Sequence, residues 1–204
     1  MKTIILIGLL LLTPISKAPA QMLWSLQNHP PNEAAFGLCL ALFPEFNELT
    51  GGIEYGLAKN HKLAISGGLG FFKIQNRHLP PAFTAKFESM RLTPLNKEGF
   101  NFFTIGNLGM ATVEDIFAYG VTGAFGIMNR IQGTNPEVAF TPFVRFSTRF
   151  GWVTQGRRTE YDNQLEGQVG FEIELIPNAS MMASLVFDVR GEASPGVLLS
   201  YNIH

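Results

Sequence analysis

From residue 34 onward the chain alternates large apolar residues with small or charged ones in ten short segments. In the clearest, Val144, Phe146, Phe150 and Trp152 interleave with Arg145, Ser147, Arg149 and Gly151. Period-two alternation is the signature of a strand with two unlike faces. Strands are expected at about 34–43, 52–59, 62–72, 83–92, 101–111, 117–128, 138–153, 164–176, 180–190 and 196–203. Turn residues punctuate them: Thr50-Gly51-Gly52, Lys59-Asn60, Leu79-Pro80-Pro81, Asn96 to Gly99, Glu114-Asp115, Gly133 to Pro136, a loop over 154–163, Pro177-Asn178 and Ser194-Pro195-Gly196. No linker or second domain interrupts the series.

One face collects bulky apolar side chains, among them Phe36, Leu38, Leu40, Ile53, Ile65, Phe71, Phe83, Phe103, Ile105, Phe117, Tyr119, Phe146, Phe150, Trp152, Phe171, Leu185, Phe187 and Tyr201. The other carries Glu54, Lys86, Glu88, Arg145, Arg149, Glu166, Glu172, Glu174, Asp188 and Arg190 among Gly, Ala, Ser and Thr. Alternation alone is symmetric, and a soluble lipocalin-like barrel would turn the apolar face inward. Three features favour the opposite sense. Small residues suit a narrow lumen, where space is limiting. Aromatics gather in two belts, with Phe36, Phe103, Phe140 and Tyr201 toward one rim. Phe71, Phe83, Phe117, Tyr119, Phe150, Trp152 and Phe187 form a girdle toward the other, as at the two interfaces of a bilayer. Charges of both signs share the polar face. A hairpin pairing Val153 with Gln164 sets Arg145 opposite Glu172, and one pairing Ile176 with Ser180 sets Glu166 opposite Arg190. The expected fold is an all-β, closed, antiparallel up-and-down transmembrane barrel of ten strands, eight being the alternative, with the apolar face outward and the polar face in the lumen. Pro142 requires a bulge, or a strand that begins after it.

The N-terminus adds direction. Residues 1–20 run from a basic start through the apolar stretch Ile4–Leu12 to Ala18-Pro19-Ala20, the order of a cleaved secretory signal peptide. The stretch is too short for a spanning helix. Removing it takes away Lys2 and Lys17 and no acid, moving the formal charge from −1 to −3. A nucleic-acid partner would need a basic patch, which this balance argues against. Residues 21–33, with Asn28-His29-Pro30-Pro31-Asn32, read as a periplasmic tether ahead of a barrel domain over 34–204. Cys39 is the only cysteine, excluding an intrachain disulfide, and its place in an apolar strand marks a packed thiol.

On the export signal, the alternating segments and the last strand (Val197, Leu199, Tyr201, Ile203), the chain resembles the small outer-membrane β-barrel proteins of Gram-negative bacteria. The resemblance implies outer-membrane lipids, lipopolysaccharide and the barrel-assembly machinery as partners. It also implies a final strand ending in an aromatic, from which this chain departs with Ile203-His204. It carries no catalytic residue across.

The chemistry is sparse. Barrel enzymes of this class, which include proteases and lipid A-modifying enzymes, work near a rim, where His78, Asp115, Glu160 and Asp162 are the candidates. No spacing motif joins them, and no G-x-S-x-G elbow occurs. His29, His61, His78 and His204 are scattered singly, without zinc spacing, so neither metal nor cofactor is expected. Arg157-Arg158 could meet lipopolysaccharide phosphates, or simply be solvated beside Glu160 and Asp162. A lumen of eight or ten strands is largely filled by side chains, unlike that of a wide porin. The leading expectation is a compact outer-membrane barrel with a structural, adhesion or binding role. A barrel enzyme at the outer rim and a soluble periplasmic carrier of an apolar ligand are the alternatives.

Overall fold

A computed structural model describes residues 26, 30–44, 46–74, 77–78, 80–96, 99–134, 138–176, 179–188 and 193–203. The expected signal segment 1–20 and Arg190 lie outside these residues. The strands are β1 (Ala34–Leu42), β2 (Phe46–Ala58), β3 (His61–Ile74), β4 (Arg77–His78), β5 (Ala82–Pro94), β6 (Phe100–Val113), β7 (Ile116–Asn129), β8 (Ile131–Gln132), β9 (Ala139–Gln155), β10 (Arg158–Ile176), β11 (Ala179–Asp188) and β12 (Ala193–Ile203). Two-residue β4 and β8 are side pieces. The other ten pair antiparallel in chain order, β12 with β1 and β9 with β10, so the sheet closes on itself. Closure pairs each strand's backbone on both sides, the condition for a sheet in lipid. Both ends of the sheet's chain meet at one rim, where Phe36 pairs with Ile203.

The expected β2 and β10 are too short. Gly51 and Gly52 are not a turn: they sit mid-strand against Gly67 and Ser66 of β3. The turn falls earlier, where Phe43 and Phe46 exchange backbone hydrogen bonds (Phe43 N to Phe46 O, 2.9 Å). Glycine is needed here for close approach, since a Cβ on Gly68 would stand 2.0 Å from the Leu49 carbonyl oxygen. The expected loop 154–163 is instead strand, and β9 and β10 meet in a two-residue turn at Gly156-Arg157, Gly156 taking φ +58°.

These boundaries move the registers. Arg145 lies opposite Gln168, and Glu172 opposite Thr141, so the expected Arg145–Glu172 pairing is off by four residues. Glu166 faces Asp188, not Arg190, because an irregularity between Glu174 and Ile176 and a tighter turn shift β11 by two. Pro142 causes neither a bulge nor a late start. β9 passes through it in register with Phe171, and the ladder to β7 breaks instead. It stops at Met128–Phe143 and resumes at Ile131–Phe140 with nothing inserted. The neighbouring strand, not β9, yields to the missing donor.

Burial is inverted relative to a water-soluble protein. Arg145 is 1% exposed and Glu172 0%, whereas Phe146 is 50% and Leu185 44% exposed. The phase of β6 is opposite to expectation. Phe103 and Ile105 point inward and are buried, while Thr104, Gly106, Leu108 and Met110 face out. Adjacent Phe102 and Phe103 make either phase locally acceptable, and Asn107, hydrogen-bonded inside to Glu88, decides it.

Phe103 occupies room left by a missing side chain: a Cβ on Gly126 would stand 2.5 Å from its Cζ and 2.2 Å from the Val144 carbonyl oxygen. Gly126→Val should therefore destabilise the barrel by about 1–3 kcal/mol through overpacking, measured by urea unfolding in lipid vesicles. An unchanged midpoint would show that the wall has slack.

Candidate functional site

The inward face holds the chain's concentrated chemistry. On the β2–β6 side, Lys62 contacts Glu54 at 3.3 Å, both fully buried. Lys86 bonds Glu48 on β2 although β3 lies between their strands. On β3, Ser66 stands opposite Lys86 and Gly70 opposite Glu48, with Gly68 between them on the same face. Asn107 donates to Glu88 Oε1 at 2.5 Å. Glu48 and Lys62 were not among the expected lumen charges. Gly51-Gly52 has the composition of a turn, yet β2 runs through it to Glu48, and Glu48, Thr50 and Glu54 share its alternation.

The β9–β11 side is richer in arginine. Arg149 donates to Gln164 at 2.5 Å, and Gln168 to Ser184 at 2.7 Å. Arg145 is attracted to Glu166 on the adjacent strand and to Glu88 of the other wall. The facing acids Glu166 and Asp188 are tolerable because Arg149 and Arg145 act on Glu166 at the same time. Near the rim with the termini, Arg130 forks onto Glu174, Nε to Oε1 at 2.9 Å and Nη2 to Oε2 at 2.6 Å. Arg130 occupies the gap that Pro142 opens between β7 and β8, a role only the ladder break makes visible. Among the described residues, Met90, Phe103, Met128, Phe143, Met182 and Leu198 pack together, and toward the other rim Val113 and Phe43, which also touches the first group, pack on Phe46 and Ala82.

On the outer face, Phe71, Phe83, Phe117, Tyr119, Phe150, Phe187 and Tyr201 are exposed, and Trp152 partly so. Tyr119 stacks on Trp152 at 5.3 Å, with Phe117 at 5.6 Å from Tyr119. Tyr161, expected in a loop, extends this row from β10, 5.7 Å from Trp152. Phe103 leaves the opposite belt for the interior, while Phe140 stays outside against Phe171 at 5.5 Å.

The rim candidates for catalysis are divided between opposite walls. His78 is in β4, hung on β3, which lies five strands from β10 either way round the ring. Glu160 and Asp162 are strand residues on that far wall. Asp115 accepts from Gln155 at 3.4 Å. General acid–base work would need His78 within hydrogen-bond reach of a carboxylate, and the ring separates it from Glu160 and Asp162. His61 pairs with Ser89 at 2.8 Å. Among the described residues no three metal-binding side chains cluster.

Removing one partner of a buried ion pair leaves the other charge uncompensated. A double-mutant cycle on Glu54→Gln and Lys62→Met should show a coupling of about 0.5–3 kcal/mol in vesicle unfolding. Additive effects would mean that the pair does not interact.

No family model and no curated protein matches the chain. Among solved structures it is similar to LpxR from Salmonella typhimurium, with 11% identity over 86% of this chain and 86% of that one, at a TM-score of 0.50. It is also similar to the translocator domain of the autotransporter NalP from Neisseria meningitidis (11% identity, 93% and 92% covered, TM-score 0.43). A third similar structure is the N-terminal β-barrel domain of Pseudomonas aeruginosa OprF (13% identity, 86% and 100% covered, TM-score 0.36). At such identities the likeness is one of fold, and the chain has the fold of the small outer-membrane β-barrel proteins.

Proposed function

We propose that this chain is a filled outer-membrane barrel that acts through its lipid-facing wall and outer rim, in a structural, adhesion or binding role, rather than as a wide pore. The carrying observation is the inversion of burial: ionic side chains are sealed inside, and Phe146, Val144, Leu165 and Leu185 face outward. An apolar carrier in water would need the reverse, because its ligand would line up with Phe146 and Leu185 and not with Arg145 and Glu172. Ion pairs spanning neighbouring and next-neighbouring strands, with apolar clusters above and below, favour a lumen occupied by its own side chains. The separation of His78 from the carboxylates of β10 removes support from the enzyme reading.

The remaining partners follow from the same surfaces. Segment 1–20 would direct export and be cut before Gln21. The outward row Val197, Leu199 and Tyr201 of β12 would be presented to the assembly machinery. Exposed Arg157 and Arg158 at the β9–β10 turn would meet lipopolysaccharide phosphates at the outer rim, where guanidinium groups bind phosphate oxygens well.

The native protein should stay with membranes after carbonate washing, dissolve only in detergent, and migrate differently on a gel before and after boiling. Recovery in the aqueous fraction without detergent would overturn the reading. A substitution sharpens it. Phe146→Arg should cost about 2–4 kcal/mol in vesicle unfolding, as for a cation placed on the lipid face near mid-bilayer. A cost near zero would mean that Phe146 meets water.

A further inference from the structure

Arg91 of β5 is a cation set in the apolar outer wall. Met90 before it is buried inside, so Arg91 points outward, and it is exposed. None of the ion pairs or side-chain hydrogen bonds among the described residues engages it. It stands opposite His61, the first residue of β3, and opposite exposed Thr104 of β6. Ser89 Oγ holds His61 there, 2.8 Å from its Nε2. Leu92 N bonds Asn60 O at 2.8 Å, so the group lies level with the β2–β3 turn, at the rim that carries the chain termini. No carboxylate occurs in the row His61, Arg91, Thr104 and Phe125, or in the outward rows on either side of it. A cation on a lipid-facing wall is costly unless it reaches the interface and finds an anion there. The chain supplies none at this place.

Beside the cation the wall falls away. From Ser89 the outward row continues through Gly106, Gly123 and Thr148, and a Cβ at either glycine would meet nothing within 4 Å. The rows that border it are bulky and exposed, Leu108 and Val121 on one side, Phe125 and Phe146 on the other. The result is a trough of three strand spacings, about 14 Å, that begins next to Arg91. We infer that this face holds one anionic phospholipid of the periplasmic leaflet, its phosphate on Arg91, His61 and Thr104 and one acyl chain in the trough. The inference rests on the outer-membrane reading above. A guanidinium forks onto two phosphate oxygens, and imidazole and hydroxyl groups add donors. The trough favours a lipid over a free anion, which gains nothing from an apolar channel that starts at the cation. The lack of a facing carboxylate favours a net negative headgroup, because a headgroup ammonium would find no partner here.

The native barrel, extracted in neutral detergent and stripped of lipid, is titrated with phosphatidylglycerol, and bound lipid is counted by native mass spectrometry. One lipid should bind, and at least about tenfold more weakly to Arg91→Gln, as for loss of a hydrogen bond between charged groups. Gly123→Trp, built where a Cβ has open space, should weaken binding about tenfold by occupying the trough and removing dispersion contacts. Folding of each variant is checked by its gel shift on boiling. Unchanged affinity in either folded variant overturns the proposal, and should Arg91→Gln not fold, Gly123→Trp decides. Inorganic phosphate bound as tightly as the lipid also overturns it, assigning the face to a free anion. So does a lipid-free dimer that needs Arg91, which assigns the face to a second copy of the chain. A protein that stays in membranes but binds the lipid no better than its variants loses this site and keeps the membrane assignment. Recovery in water without detergent loses both.

Discussion

Backbone hydrogen bonding is the constraint from which the rest of this structure follows. In lipid no water is available to an unpaired N–H or C=O, so a sheet must close or fail. Here β10 closes the ring along the whole of β9, from Arg158–Gln155 at the turn to Glu174–Ala139 at the far rim. Once the ring is closed, each strand has an inside and an outside. The amino-acid alternation then becomes a three-dimensional division between an apolar outer face and a small polar interior. Pro142 marks the place where the pairing yields. The ring does not bulge around the missing donor; the ladder on one side breaks, and Arg130 fills the gap with a forked ion pair to Glu174.

A narrow ring forces its contents to share space. Glycine and serine on β3 stand between Lys86 and Glu48, and Gly126 gives Phe103 its place. The small residues and the large inward ones are therefore parts of one packing solution. The interior also exceeds what the wall supplies, since Leu26 is drawn into it from outside the sheet. Buried acids of this kind are costly alone and tolerable in company. Glu166, facing Asp188, relies on Arg145 and Arg149.

Much of this was legible in the alternation. The ten long strands fall within a few residues of expectation at most ends, and the outward residues of β1, β7 and β9, with Leu199 and Tyr201 of β12, are as read. The errors have a common origin. Gly51-Gly52 and the polar stretch Thr154 to Asn163 look like turns because glycine and polar residues usually end strands, but a barrel wall can bend at glycine and project polar strands beyond the bilayer. Losing those segments removed Glu48 from the expected lumen and Tyr161 from the expected girdle. It also displaced Arg145 from its true partner, Gln168.

Composition and periodicity alone determined the class of the fold: closed antiparallel strands, an apolar face turned outward and a polar face in the lumen, and an even strand count. Those properties follow from residue chemistry repeated at period two, which is local. Tertiary structure alone decided which charges meet, how β6 is phased and where Leu26 rests. Each depends on register or on contacts between distant strands, and a slip of one residue reverses a face without altering the pattern from which it was read.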